Sequence, residues 1–511
     1  MNSPRLLCAL GLALLTVALN PAAAQARDAV ITSFDGTKLN THFFPAPGLQ
    51  AGQRAPVVML VHGFGETGPA SPDAARLVGA PKVSELLQAG YNVFTWDARG
   101  HGASGGTAML DSPDFEVRDT RLMIDWIAGQ PEVLLDAPGD PRLGMTGASY
   151  GGIIQYLTAA LDQRVDVITP AYTAYSLRTT TLERNTKFKE GWAAGLAGIG
   201  VANLPPGLTS PLGPSLHTLD PDAIAGMLTS VAQGATTKAF GSYLDYRSPS
   251  TYLSKVRIPT LVQGGTSDTL FPLINAVSDF RTLKAQRVPV KMSWNCEGHS
   301  LCPGDAGPVN EHFDTVVINW FDRWLKRQPS VSTGPQFTWI ADNENSYRTA
   351  PAFPPKVTGH LTGTGSGSLA ITPTAPASSL GFLFIGAQPA LGVAAVQVPI
   401  APPASASNVV GFPRLHLTNQ GIAAPAKTWI YAQILDQQTN RIVGVQVAPV
   451  PVELDGIQHT VDIELEAIAT RSDPSSRYLL QLIPGSLIYG TQRSAGTVNL
   501  RNISVSLPVA G

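Results

Sequence analysis

After residue 26 the chain alternates two kinds of hydrophobic pattern. Runs that are apolar almost throughout, at 57–61, 91–96, 143–146, 165–169, 260–262 and 288–294, read as strands buried on both faces. Between them lie stretches with helical spacing, around 84–88, from 115 to 127 and from 310 to 326. Strands alternating with helices predict a mostly parallel sheet covered on both sides. Ahead of these, 29–31 and 38–43 flank Asp35-Gly36, a dipeptide that favours the positive φ of a tight turn. An N-terminal hairpin is expected there.

Two stretches break the alternation. Residues 178–254 are far longer than one crossover helix requires, and helical spacing at 187–197 and 221–233 is interrupted by Pro205-Pro206-Gly207 and the prolines of 211–214. Asp220 precedes Pro221 as an N-cap before a first-turn proline. A helical lid over the carboxyl edge of the sheet is predicted, since open α/β sheets bind ligands at that edge. Past Gln328-Pro329, charge thins and short alternating segments appear at 414–417, 428–434, 441–447, 460–465, 478–482 and 497–507. These predict a separate β-sandwich of jelly-roll kind over 329–511, with the low-complexity stretch 362–379 as a loop. The domain over 27–328 carries the sheet and the lid.

Composition narrows the range of functions. The 511 residues are 44% hydrophobic and 14% charged, with 35 Lys plus Arg against 37 Asp plus Glu and a formal net charge of -2. No basic run is present that could track a phosphate backbone, which argues against nucleic acid as a partner. Residues 1–26 have the order of a secretory signal: Arg5, an apolar stretch over 6–19, then small residues at Ala22, Ala23, Ala24 and Ala26. The apolar stretch is too short for a comfortable membrane span, so a secreted or periplasmic protein with no integral membrane span after cleavage is expected. Cleavage leaves Cys296 and Cys302, and an oxidising compartment predicts a disulfide between them.

The chemistry concentrates at Gly147-Ala148-Ser149-Tyr150-Gly151, between a strand-like run and the helical 153–161. Small residues two before and two after a serine let neighbouring chains pass closely, and a strained strand-to-helix turn lifts the hydroxyl clear of the sheet. A serine hydroxyl needs a base, and the base needs a carboxylate that holds its tautomer. Folds with this turn present them in the order Ser, acid, His. Asp268 follows one late strand and His299 the next, so both fall where the order demands. Among the acids, Asp279 sits further into the following helix and Glu297 beside the histidine, as lesser alternatives. His42, His62, His101 and His217 precede the position that the order requires, while His312, His360, His416 and His459 read as surface or packing residues. Asp97 reads as a brace for its own turn. Backbone N–H groups of Tyr150 and of Phe64, in His62-Gly63-Phe64-Gly65, are placed to form an oxyanion hole. No metal or organic cofactor is implied.

The chain resembles the X-prolyl dipeptidyl peptidase and cocaine-esterase-like family of α/β-hydrolases. The resemblance rests on Gly147-Ala148-Ser149-Tyr150-Gly151, on Asp140-Pro141-Arg142 leading into that strand, on Gly298-His299, and on the domain order, with a β-domain that opens at Phe337-Thr338-Trp339. It implies an α/β-hydrolase core with a helical lid, a C-terminal jelly roll, and a triad of Ser149, Asp268 and His299. One residue departs from the family pattern: an oxyanion-loop tyrosine is expected, and Phe64 stands there, offering only its backbone N–H. That favours a small-molecule ester over a peptide substrate. An exopeptidase would need a lid carboxylate for the substrate amine, with Glu183, Glu190 and Asp245 as candidates. A non-catalytic protein that binds a polymer or cell surface is the remaining alternative.

Overall fold

A computed structural model describes residues 25–201, 218–301, 306–374, 386–390 and 395–511. The first sheet runs Arg27–Thr32, Lys38–Phe44, Asn92–Trp96, Val57–Val61, Leu143–Ala148, Val165–Ala171, Thr260–Gly265, Val290–Asn295, Phe337–Ile340, Tyr347–Ala350. Neighbours from Asn92–Trp96 to Phe337–Ile340 are parallel, and both ends finish antiparallel. The strand Val57–Val61 shows why continuous apolar runs are needed. Val57, Met59 and Val61 enter one core with the helices Glu116–Ala128 and Tyr150–Leu161, while Val58 and Leu60 enter another with Val83–Gln88 and Ala306–Trp324. The expected hairpin forms with Arg27 opposite Phe43.

The lid follows its local signals. Asp220 accepts a hydrogen bond from the Asp222 amide at 3.0 Å, and Pro221 starts the helix Pro221–Gln233. Glu190–Val201 and Lys238–Arg247 supply further helices. The first residues expected in a helix at 187–197 instead form a short strand, Lys187–Phe188, paired with Glu183–Arg184.

Two expectations about the C-terminal part are corrected. The strands Phe337–Ile340 and Tyr347–Ala350, assigned to a domain beginning at 329, extend the first sheet. They lie beyond the composition change because a sheet's edge is completed by whatever strand reaches it. Residues 362–371, expected as loop, belong to a long strand, Val357–Ile371. A Cβ at Gly363 would lie 2.4 Å from the Pro399 carbonyl oxygen, and one at Gly367 would lie 2.7 Å from a Val396 methyl. Glycine occupies inward positions where the strand Val396–Ile400 packs close, so the period-2 pattern is present without apolar letters.

Beyond residue 356 the chain forms an antiparallel β-sandwich, built on the strands Arg414–Asp436, Ala448–Asp455, Tyr478–Ile483 and Ala495–Ala510. Leu361, Val398, Ile430, Val450, Leu480 and Val498 sit in its core. It grips the lid through ion pairs Arg184–Glu466, at 2.8 Å, and Arg493–Glu190, and through the Trp429 indole N–H on the Asn185 carbonyl. Among the described residues no helix is long and apolar enough to cross a membrane. The expected signal, 1–26, lies almost wholly outside the described residues, which begin at Gln25.

Candidate active site

The strand Leu143–Ala148 delivers Ser149 at φ 57° and ψ -122°, and the helix begins at the next residue. A β-carbon at Gly147 would lie 2.2 Å from the Val61 carbonyl oxygen, and one at Gly151 would lie 2.5 Å from it. Only glycine lets the neighbouring strand pass the turn on both sides, which is the physical content of the five-residue spacing.

Three loops meet at this rim. The Ser149 hydroxyl lies 2.9 Å from His299 Nε2, and His299 Nδ1 lies 2.8 Å from Asp268 Oδ2. Asp268 is fully buried, and its other oxygen accepts the amides of Leu270, at 3.0 Å, and Phe271, at 2.7 Å. One carboxylate oxygen thus faces the imidazole while the other closes its own turn. The imidazole is flanked edge-on by Phe271, with centroids 4.9 Å apart, and by Trp192 at 6.2 Å. A β-carbon at Gly298 would come within 2.5 Å of Asp268 Cβ, so glycine before the histidine lets the two loops touch.

The alternatives are occupied elsewhere. Asp279 is buried in the helix Ile274–Ala285 and faces Tyr156, and burial holds its carboxyl well above the usual range. Glu297 accepts from the Tyr172 hydroxyl at 3.4 Å. His312 stacks on Tyr347, His416 pairs with Asp462, His459 with Asp455 and His42 with Asp28. His62 is buried, which lowers its pKa, and its Nε2 accepts the Ala98 amide at 2.9 Å. Asp97 accepts the amides of Gly68 and Ala103, both at 2.9 Å, and so braces its turn.

Phe64 and Tyr150, whose backbone N–H groups are the donors expected for an oxyanion, line the same pocket as Ser149. A β-carbon at Gly63 would lie 4.0 Å from Ser149 Cβ, which places the His62-Gly63-Phe64 turn against the serine. Glu66 accepts the Gly63 amide at 2.7 Å and holds that turn. The Tyr150 amide opens a helix, where first-turn N–H groups lack intrahelical acceptors and the dipole favours negative charge. Its hydroxyl donates to Glu116 at 3.1 Å, so only the Tyr150 backbone is in question.

Several positioning groups carry no local signal. The Gln446 side-chain amide, from the β-domain, donates to the Asp268 carbonyl at 2.9 Å and to that of Thr266 at 3.3 Å. From the lid, buried Lys189 donates to the carbonyls of Thr269, at 2.9 Å, and Leu270, at 3.1 Å. Burial pulls its ammonium down to about 8. The Trp192 indole donates to Thr269 Oγ1 at 3.2 Å. Two apolar lid residues, Trp192 and Phe188, are both buried, so they pack the lid rather than line the opening. Cys296 is buried beside Ile340, and Cys302 lies outside the described residues.

A pocket of about 570 Å³, part of it open to solvent, adjoins Ser149. Its walls are Phe64, Leu110, Leu177, Met227, Leu244 and Phe271, with other apolar groups and Asp111.

The parallel sheet, the strained serine turn and the lid over the carboxyl edge make this an α/β-hydrolase fold. Residues 35–300 match the family described as X-Pro dipeptidyl-peptidase (S15 family). The chain belongs to that family. Hydrolase LUC6 of Fusarium sp is 28% identical over 264 residues, 49% of this chain and 58% of that protein, so the chain spans under two thirds of that curated relative. A CocE/NonD family hydrolase from Staphylococcus aureus superposes with a TM-score of 0.63 at 14% identity, over 95% of this chain and 93% of the other. An α-amino acid ester hydrolase superposes with a TM-score of 0.66 at 14% identity, over 99% and 100%. At such identity the likeness is one of fold, and it takes in both the core and the β-sandwich.

Proposed function

We propose that this chain hydrolyses carboxylic esters through an acyl-enzyme on Ser149. The hydrogen-bonded line from Ser149 through His299 to Asp268, at 2.9 and 2.8 Å, carries the reading. His299 Nε2 takes the hydroxyl proton as Oγ attacks the carbonyl carbon, and Asp268 stabilises the imidazolium. The N–H groups of Phe64 and Tyr150 receive the oxyanion, a donor of this kind being worth about 10²–10³ in kcat. His299 returns the proton to the departing alkoxide. Water then attacks the acyl-enzyme with His299 again as base, releasing the acid and restoring Ser149.

Ester is favoured over peptide because two of the lid carboxylates are engaged elsewhere and the third, Glu183, lies away from the described pocket. Glu190 holds Lys187 and Arg493, Asp245 pairs with Arg178 at 2.9 Å, and Glu183 lies in the short strand pair. None of them lines the described pocket. The family match favours the second reading, an exopeptidase that releases N-terminal dipeptides. Comparing p-nitrophenyl esters with Xaa-Pro p-nitroanilides decides between them. Ester kcat/KM is expected to exceed that for the anilides, and the reverse order would hand the assignment to the exopeptidase.

Export and a Cys296–Cys302 bridge belong to the same proposal, on the signal-like residues 1–26 and the cysteine pair. Intact mass of the exported protein should lack the first 24 or 26 residues and rise by two hydrogens on reduction. An unchanged mass on reduction would remove the bridge.

A further inference from the structure

Asp111 is a buried carboxyl on the wall of the pocket beside Ser149, with 1% of its surface exposed. Neither of its oxygens has a hydrogen-bond partner among the described residues. A buried polar group left unpaired is costly, so its persistence in a mostly apolar cavity points to a partner that arrives with the ligand. The backbone holds it there. Leu110 and Asp111 both adopt left-handed φ, 57° and 55°, unfavourable for leucine above all. Glu116 clamps this turn on both sides by accepting the amides of Met109, at 2.5 Å, and Ser112, at 2.8 Å. Arg247 spends its Nε–H on the Met109 carbonyl at 2.8 Å instead of on Asp111.

What would this carboxyl bind? An ammonium carries three donors and needs acceptors for each once it leaves water. Beyond Asp111 itself the described lining offers few: Thr181, the Ser149 hydroxyl already bonded to His299 and the Tyr150 hydroxyl already given to Glu116, the rest being apolar side chains such as Leu110, Ile153, Leu177 and Leu244. A neutral carbonyl or hydroxyl oxygen needs one or two partners, which a protonated carboxyl supplies. Burial, and then the neighbouring Glu116, push the Asp111 carboxyl well above the usual range against a smaller opposing influence from Arg247.

We propose that Asp111 is a specificity-determining residue that selects esters whose apolar chain carries a neutral oxygen function, a ketone or hydroxyl, at the depth of its carboxyl. This rests on the ester-hydrolase reading of Ser149. The test uses p-nitrophenyl hexanoate, its keto derivatives along the chain and its terminal ammonium derivative, and a second series with the same groups on the alcohol side. The readout is kcat/KM for each substituted ester relative to its plain parent. In wild type at least one keto ester is expected to exceed its parent by about 10-fold, the scale of one buried hydrogen bond left unmade. Asp111→Leu should abolish that ratio, and Asp111→Asn, still a neutral donor and acceptor, should retain most of it. A ratio that Asp111→Leu leaves unchanged, or no keto preference in either series, would overturn the inference while hexanoate turnover kept the Ser149 reading alive. An ammonium preference lost in Asp111→Asn would also overturn it, in favour of a cationic substrate. Hexanoate turnover that survives Ser149→Ala, or no turnover at all, would instead defeat the hydrolase reading and this inference with it.

Discussion

Asp268→Asn is expected to lower kcat by about 10⁴-fold at neutral pH with KM little changed, as loss of the orienting carboxylate does in other serine triads. Asp268 Oδ2 accepts from His299 Nδ1, which leaves Nε2 without a proton and facing the serine hydroxyl. An amide N–H at that position turns Nδ1 into the acceptor and puts the ring proton on Nε2, where it cannot receive another. The remaining amide oxygen can still accept from Leu270 and Phe271, so the loop is expected to stand. Ser149→Ala provides the floor, a loss of about 10⁶-fold in kcat. Steady-state kinetics on one activated ester, with circular dichroism to check folding, measure both. An Asp268→Asn enzyme within 10-fold of wild type would remove Asp268 from the role.

Glu190→Ala is expected to destabilise the protein by roughly 3–5 kcal/mol, because it strands a buried ammonium. Glu190 has 1% of its side chain exposed and Lys187 4%, and their charged groups meet at 2.6 Å. Arg493 shares the same carboxylate from the β-domain, and the Thr491 amide reaches it at 3.1 Å. Removing the carboxylate leaves Lys187 desolvated with no counter-charge, and burial already lowers its pKa. Arg493, 35% exposed, can turn to water, so Arg493→Ala should cost much less. The first transition in urea, with limited proteolysis of the lid, reports the effect. Equal midpoints for Glu190→Ala and wild type would show that this seam does not hold the lid. Because the same lid supplies Lys189 to the acid loop, loosening it should also reduce kcat.

This coupling explains a purpose for the β-sandwich that its own sequence hides. Gln446 and Glu466 reach, respectively, the acid loop and the lid from short connections between the sandwich strands. Neither residue lies in a motif. Their partners are distant along the chain, and no local pattern encodes which turn will face which loop.

The division between sequence and tertiary structure follows from range. Ser149, Asp268 and His299 were legible because each obeys a local rule: glycines around a strained turn, an acid after one strand, a histidine after the next. The alternation of apolar runs and helices likewise determined a parallel sheet, since burial on both faces leaves continuous hydrophobic letters. Asp111 was not legible, because Asp-Ser-Pro reads as any turn and only the fold buries it on the wall of the pocket beside the serine. The strand Val357–Ile371 carries a loop-like sequence because close packing chose glycine where periodicity looks for valine or leucine. Phe337–Ile340 passed as the start of a new domain for a related reason: a strand pairs by hydrogen bonds that every residue can make, so its sheet is decided by where the chain arrives. Local sequence determined the chemistry that each loop could bring, while long-range packing decided which side chains face one another and which are left for a substrate.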